Sequence, residues 1–307
     1  MTTRRPLLLF TAAVIAPMLA TAAGDPSAST ARPYEITEER EPCSNFTPLK
    51  QPLFGDTHVH TSLSFDANGQ NTRNRPADAY RFAMGERMGI QPYDDEDNPQ
   101  RFIQLDRPLD FVSLSDHAEL LGEVNLCTTP GTWTYWHPVC VAHRSSGTLS
   151  MILLAGRSLG FRSRWGFCGD KGEHCLGEAG SVWEEIKRSA EEAYDRSSSC
   201  RFTSFVGYEW TASMDEGKNL HRNVVFRNER VPKLPSSWIE TPSASALWDH
   251  LDRDCLDAGE GCDVLTIPHN SNISSGLMFR SAKIEESAAP HPEDDAAEAK
   301  RRHRMEP

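Results

Sequence analysis

The sequence predicts an α/β fold built on a mainly parallel sheet or barrel, and three observations carry that expectation. Strand-like and helix-like segments alternate repeatedly along the chain, as βα units do when they build a parallel sheet. A His-x-His pair, His58 and His60, ends the first strand-like segment. Asp116-His117, Glu209, His221 and His269 stand at or near the ends of later ones. In a barrel of parallel strands such ends converge on one face, where active sites form.

The elements follow in order. Pro52 to Thr61 (PLFGDTHVHT) alternates as a strand. Arg75 to Glu86 reads as a helix, with Pro76 suited to its first turn. Met88 to Arg107 is acidic and irregular, a small hairpin or a loop. Leu109 to Leu114 (LDFVSL) is the short apolar run of a buried strand. Leu120 to Leu176 holds four cysteines with many glycines and aromatics, and reads as an insertion containing some helix, spanning about 120–180. Ser181 to Asp195 puts Trp183, Ile186, Ala190 and Ala193 on one face and charges on the other, the pattern of an amphipathic helix. Arg201 to Thr211 and Arg222 to Arg227 read as strands, Ala244 to Cys255 as a helix and Asp263 to Pro268 as a strand. The tail from Ser287 is rich in Ala, Glu, Lys and Arg and reads as helical.

Composition narrows the partners. The chain has 307 residues, 38% hydrophobic and 25% charged, with a net charge of -12. An acidic chain repels phosphate backbones and anionic lipid, which argues against a nucleic-acid partner. A small anionic substrate stays compatible, because bound divalent ions reverse the local charge of a site.

Residues 1–22 read as an export signal: Arg4 and Arg5, an apolar stretch from Pro6 to Ala20, and small residues at Ala20-Thr21-Ala22. The stretch is shorter than the roughly 20 residues of a span, and Pro17 interrupts it, so no stable membrane anchor is expected. Residues 23–50 read as a polar linker, and 51–307 as the functional domain. A periplasmic or secreted location follows. The eight cysteines fit it, since an even count in an exported chain points to disulfides. Cys127/Cys140, Cys168/Cys175 and Cys255/Cys262 are close in sequence, which leaves Cys43 and Cys200, but spacing alone does not fix the connectivity.

The strongest chemical signal is Asp56-Thr57-His58-Val59-His60. Alternate residues of a strand point the same way, so the two imidazoles project together. Imidazole suits Zn, Mn and Fe ions. Glu209 lies in an otherwise apolar run, where a carboxylate is costly to bury without a cation. No G-x-S-x-G elbow, P-loop or dinucleotide fingerprint occurs.

The segments FGDTHVHTSLSFDANG, LDFVSLSDHAELLG, VGYEWTA, NLHRNVVFR and TIPHNSN resemble the PHP superfamily of metal-dependent phosphoesterases and, more narrowly, the DUF3604 family. The resemblance implies a distorted (β/α)7 barrel carrying two or three divalent ions, Zn, Mn or Fe. On that pattern His58 and His60 hold the first ion with Glu209, which bridges to a second held by His221 and His269. Asp66 joins His117 at a third. The superfamily's site ends in a late Asp-x-His motif. After His269 this chain offers only His291 and His303 in a polar tail, which implies an incomplete barrel lacking its final strands.

The implied activity is hydrolysis, foremost of a phosphoester, by a hydroxide held between two ions at near-neutral pH. Asp56 and Asp116 then stand as partners that orient ligand imidazoles. Arg222 stands as an anion-binding group, and Asn219, Asn223 and Asn270 as hydrogen-bond donors. Two alternatives remain open at this level. An amidohydrolase-like barrel also starts with His-x-His but adds a metal-bridging lysine, whereas Lys171, Lys187 and Lys218 fall in loops or on a helix. A metal- or ligand-binding fragment without turnover is the other.

Overall fold

The computed structural model describes residues 38–145, 147–214, 218–269, 271, 273–278 and 304–305. All of them lie in the second of two compact units, Thr37–Pro307. The expected export signal, Asn270, His291, His303 and nearly all of the C-terminal tail fall outside the described residues.

A five-stranded sheet carries the functional face. Its strands are β1 (Gly55–Val59), β4 (Phe111–Leu114), β5 (Thr203–Met214), β6 (Lys218–Phe226) and β7 (Val264–Pro268), in the order β1-β4-β5-β6-β7. The intervening β2 (Met88–Tyr93) and β3 (Pro99–Ile103) form a separate antiparallel hairpin, one of the two outcomes the acidic Met88–Arg107 segment allowed.

A mainly parallel sheet or barrel was expected from the sequence; the sheet is parallel only on the β1 side. β1 pairs with β4, and β4 with β5, in parallel. β6 runs antiparallel to both β5 and β7. Among the described residues the sheet stays open, with β1 and β7 at its edges, and no closed barrel forms. The physical reason is the link after β5: only residues 215–217 separate β5 from β6, and a parallel return needs a dozen or more residues. The reversal keeps the site together. Because β6 is antiparallel, its early residues lie at the same sheet end as the late residues of β1, β4, β5 and β7.

Helices α2 (Pro76–Ala83), α6 (Glu173–Ala193) and α7 (Ala244–Leu251) pack on the sheet, while the short α1 (Phe65–Gly69), α3 (Leu121–Thr128), α4 (Pro138–Arg144) and α5 (Thr148–Phe161) gather around a second apolar cluster that includes Phe65, Val124, Cys140 and Leu154. α6 buries Trp183, Ile186 and Ala190 of the stripe its periodicity predicts and half-buries Ala193, with Val182 buried beside them. Trp183 and Ile186 pack in one core with Val206, Tyr208, Val224, Phe226, Leu247 and Trp248. The Trp183 indole N–H donates to the Pro232 carbonyl at 3.0 Å, so the buried ring keeps no unpaired polar group there.

α6 starts eight residues before the amphipathic stretch read from the sequence. Gly177 and Gly180 weaken helix propensity in that first part. Tertiary contact compensates: a Cβ built on Gly122 of α3 would lie 1.9 Å from the Cys175 carbonyl oxygen. Only glycine lets the two helix backbones approach so closely.

All eight cysteines are paired, as Cys43–Cys200, Cys127–Cys140, Cys168–Cys175 and Cys255–Cys262. Cys43–Cys200 ties the segment before β1 to the turn before β5, where the Glu41 and Ser44 amides also donate to the Arg196 and Ser198 carbonyls. Among the described residues no helix is long and apolar enough to cross a membrane.

Candidate metal centre

Six strand-end residues meet at one end of the sheet. β1 presents His58 and delivers His60 just beyond its end. His117 follows β4 and forms an isolated parallel bridge with Glu209 of β5. On β6, His221 pairs across the antiparallel ladder with Thr211, and Asn223 with Glu209. The period of two therefore places Glu209, Thr211 and His221 on the same face. His269 follows Pro268, the last residue of β7. Asp66 enters from α1.

Glu209 is the hub. Its side chain is 1% exposed. Its Oε2 lies 2.9 Å from His60 Nε2 and 3.3 Å from His58 Nε2. Its Oε1 lies 2.5 Å from His221 Nδ1 and 2.9 Å from His269 Nε2. Each carboxylate oxygen thus faces its own pair of imidazole nitrogens. A third group forms beside the first: both Asp66 oxygens lie 3.0 Å from His60 Nδ1, and Asp66 Oδ2 lies 3.8 Å from His117 Nε2. Three sets have donor atoms close enough to hold a metal ion: His58/His60/Glu209, His60/Asp66/His117 and Glu209/His221/His269. A fourth set, Glu123/Cys168/Cys175, is spatially similar. Its sulfurs are joined in a disulfide, and Glu123 is engaged by Arg164 at 2.8 Å, so it offers no thiolate.

The electrostatics follow from crowding imidazoles around two buried carboxylates. Burial works against ionised Glu209, yet His117, His221, His269 and His58 hold its carboxyl well below the usual range. Burial likewise opposes ionised Asp66, and His117 and His60 overcome it. Burial disfavours protonated His60, but Asp66 and Glu209 outweigh it and raise its pKa to about 10. His269 moves the other way, lowered mainly by burial although Glu209 is adjacent. The contrast has a simple cause. His60 and His117 both face Asp66 as well as Glu209 and are raised, whereas His269 has Glu209 alone. Such a surplus of buried imidazole donors around carboxylate is the arrangement that divalent ions satisfy.

The seven residues expected as metal ligands, His58, His60, Asp66, His117, Glu209, His221 and His269, are therefore brought together. Other expected site residues are placed elsewhere. Arg222 lies on the opposite face of β6 from His221, 1% exposed, with its guanidinium 5.8 Å from the Trp210 ring and 5.6 Å from the Trp248 ring. It is a core residue rather than an anion-binding group, because the strand period turns it away from the site. Asp56 accepts from the His58 backbone amide at 2.8 Å and orients no imidazole among the described contacts. Buried Asp116 instead accepts from the Thr61 amide at 2.5 Å and the Thr61 hydroxyl at 2.8 Å, fixing the turn after His60. Burial pushes its carboxyl up to about 6. Asn223 donates to the Thr57 carbonyl at 2.9 Å, bracing β6 against β1.

Sequence reasoning missed three supporting residues. The Ser64 hydroxyl donates to Asp66 Oδ1 at 2.6 Å and accepts from the His117 amide at 3.1 Å. Thr211 and Glu119 lie against the Nδ1 side of His117. The signal for Thr211 was available, because Glu209-Trp210-Thr211 on a strand puts the glutamate and the threonine on one face.

No curated protein and no solved structure matches the chain. The family described as "Protein of unknown function (DUF3604)" matches residues 47–307. That match covers most of the chain, which therefore belongs to the DUF3604 family.

Proposed function

We propose that this chain is a metal-dependent hydrolase of the PHP type, acting on a small anionic ester, foremost a phosphoester, outside the cytoplasm. The observation that carries the reading is the division of Glu209, with Oε2 facing His58 and His60 and Oε1 facing His221 and His269. A carboxylate shared in this way suits a two-ion site. Divalent ions held there would polarise a substrate oxygen and acidify water at neutral pH.

The chain's own residues do the rest. Glu209 keeps the two histidine pairs at fixed separation. His60 is pinned from both ring nitrogens, by Asp66 and Glu209. His58 is the most open of the cluster, 39% exposed, and marks the side from which substrate enters. Divalent ions bound there would give an acidic protein a locally positive surface for an anion. The extracytoplasmic location is supported by the four disulfides.

An amidohydrolase-like site would use a lysine at the bridging position, which Glu209 fills here. The test is turnover of p-nitrophenyl phosphate monoesters and diesters, and of carboxyl esters and amides, by protein loaded with Zn or Mn. The reading expects phosphoester hydrolysis that disappears in His58→Ala and His60→Ala. Tightly bound metal without hydrolysis of any phosphoester would overturn it in favour of a binding module.

A further inference from the structure

The hydroxyl of Thr211 sits among three of the candidate ligands. Its Oγ1 lies 3.0 Å from His117 Nδ1, 3.0 Å from Glu209 Oε1 and 3.0 Å from His221 Nδ1. Thr211 is 2% exposed, so no bulk water competes for it. One hydroxyl proton cannot serve all three neighbours. The Glu209 carboxylate has no proton and takes it. His221 Nδ1, 2.5 Å from Glu209 Oε1, donates to that carboxylate. The remaining lone pair on Thr211 then calls for a donor, which is Nδ1–H of His117. That assignment leaves Nε2 as the His117 nitrogen that faces Asp66 and Glu209.

Glu119 holds this arrangement from behind. It is fully buried, at 0% exposure. Its Oε1 accepts from the Thr211 amide at 2.9 Å and the Trp238 amide at 3.2 Å. Its Oε2 makes no hydrogen bond and lies 3.5 Å from His117 Nδ1. A buried carboxylate oxygen left in that state is costly unless a cation or donor faces it. On the other side of the ring Phe65 packs against His117, with centroids 4.7 Å apart.

We propose that Thr211 and Glu119 are positioning residues, which lock the His117 ring through its Nδ1 edge and aim Nε2 into the cluster. Thr211 supplies the acceptor, and Glu119 fixes the Thr211 backbone and places negative charge behind the ring. Partners of this kind orient ligand histidines and make them stronger bases. The proposal rests on the metal-centre reading, and its test separates the two.

The full chain, freed of metal, is titrated with Zn²⁺ against a chromophoric chelator. Thr211→Val and Glu119→Gln should each weaken one equivalent about 10–100-fold, the usual effect of losing such a partner. Thr211→Ser, which restores the hydroxyl, should return wild-type affinity. His117→Ala should remove the same equivalent. Folded Thr211→Val and Glu119→Gln proteins that bind every equivalent like the wild type overturn the proposal. So does a Thr211→Ser protein as weak as Thr211→Val, since the effect would then be one of packing. If the wild type takes up no Zn²⁺, the metal-centre reading fails by itself. Nitrogen NMR of His117 in the metal-free protein then decides the positioning role. An Nδ1–H protected from exchange in the wild type but not in Thr211→Val supports it, and an Nδ1 without a proton overturns it.

Discussion

Glu209 and His60 stand 149 residues apart in sequence, yet Glu209 Oε2 lies 2.9 Å from His60 Nε2. The contact joins the strand-end pair of β1 to the central strand β5, and the other oxygen of Glu209 repeats it toward His221 and His269. Glu209→Gln keeps the shape but removes the charge that both histidine pairs share. Its expected effect is a fall of more than about 100-fold in affinity for two equivalents of metal together, beyond the 10–100-fold typical of an outer partner. Calorimetric titration of the metal-free variant with Mn²⁺ measures it. Loss of one equivalent alone would mean that Glu209 serves a single ion.

Metal uptake should release protons. His60 is raised to about 10, so in the metal-free protein it carries a proton at pH 7–8, which an ion must displace. Apparent affinity should therefore rise with pH up to about 10, by roughly tenfold per unit for each proton released. The sign for folding runs the other way. With its folded pKa raised, His60 contributes stability to the metal-free protein that is full below the unfolded value of 6.5 and is lost as pH rises through about 10. Glu209 and Asp66 have lowered pKa values, so their contribution is present above the unfolded carboxylate range and is lost as pH falls. Thermal melts with and without chelator from pH 5 to 10 test both slopes. A metal-free protein that gains stability above pH 8 would contradict the His60 assignment.

Arg222 gives a prediction of the opposite kind. Packed between Trp210 and Trp248, it should matter for stability and not for substrate. Arg222→Lys keeps the charge but loses the guanidinium beside the two indole rings, with an expected cost of about 1–3 kcal/mol in denaturant melts. Metal affinity and the KM of any substrate should be unchanged. A raised KM with an unchanged melt would restore its reading as an anion-binding group.

That reassignment shows what the sequence made legible. His58 and His60 were readable because two side chains two apart on a strand must share a face, and Glu209 because a carboxylate in an apolar run needs a cation. The stripe of α6 was readable from its period. Arg222 was misread because it adjoins His221 in sequence, and adjacency on a strand means opposite faces. The antiparallel turn from β5 to β6 was missed because βα alternation upstream favoured parallel pairing, while the brief 215–217 link carried the contrary information. Glu119 could not be read at all, since its partners Thr211 and Trp238 come from distant segments.

The disulfide Cys43–Cys200 closes the largest loop of the four, with a sequence separation of 157. Cross-links act mainly on the unfolded chain, more strongly for longer loops, so Cys43→Ser with Cys200→Ser should cost about 2–5 kcal/mol. Removing Cys255–Cys262, with a separation of 7, should cost less. Guanidinium melts of the two double variants give the comparison. Equal losses would show that native packing, rather than loop closure, sets the effect.

If the strand-end histidines and Glu209 form a metal centre, the purified, untagged chain carries metal that mass spectrometry detects without added chelator. Two or three equivalents of Zn, Mn or Fe are expected, falling to one or none in Glu209→Gln. A well-folded wild-type protein that carries no metal and takes none up on addition would contradict the metal centre.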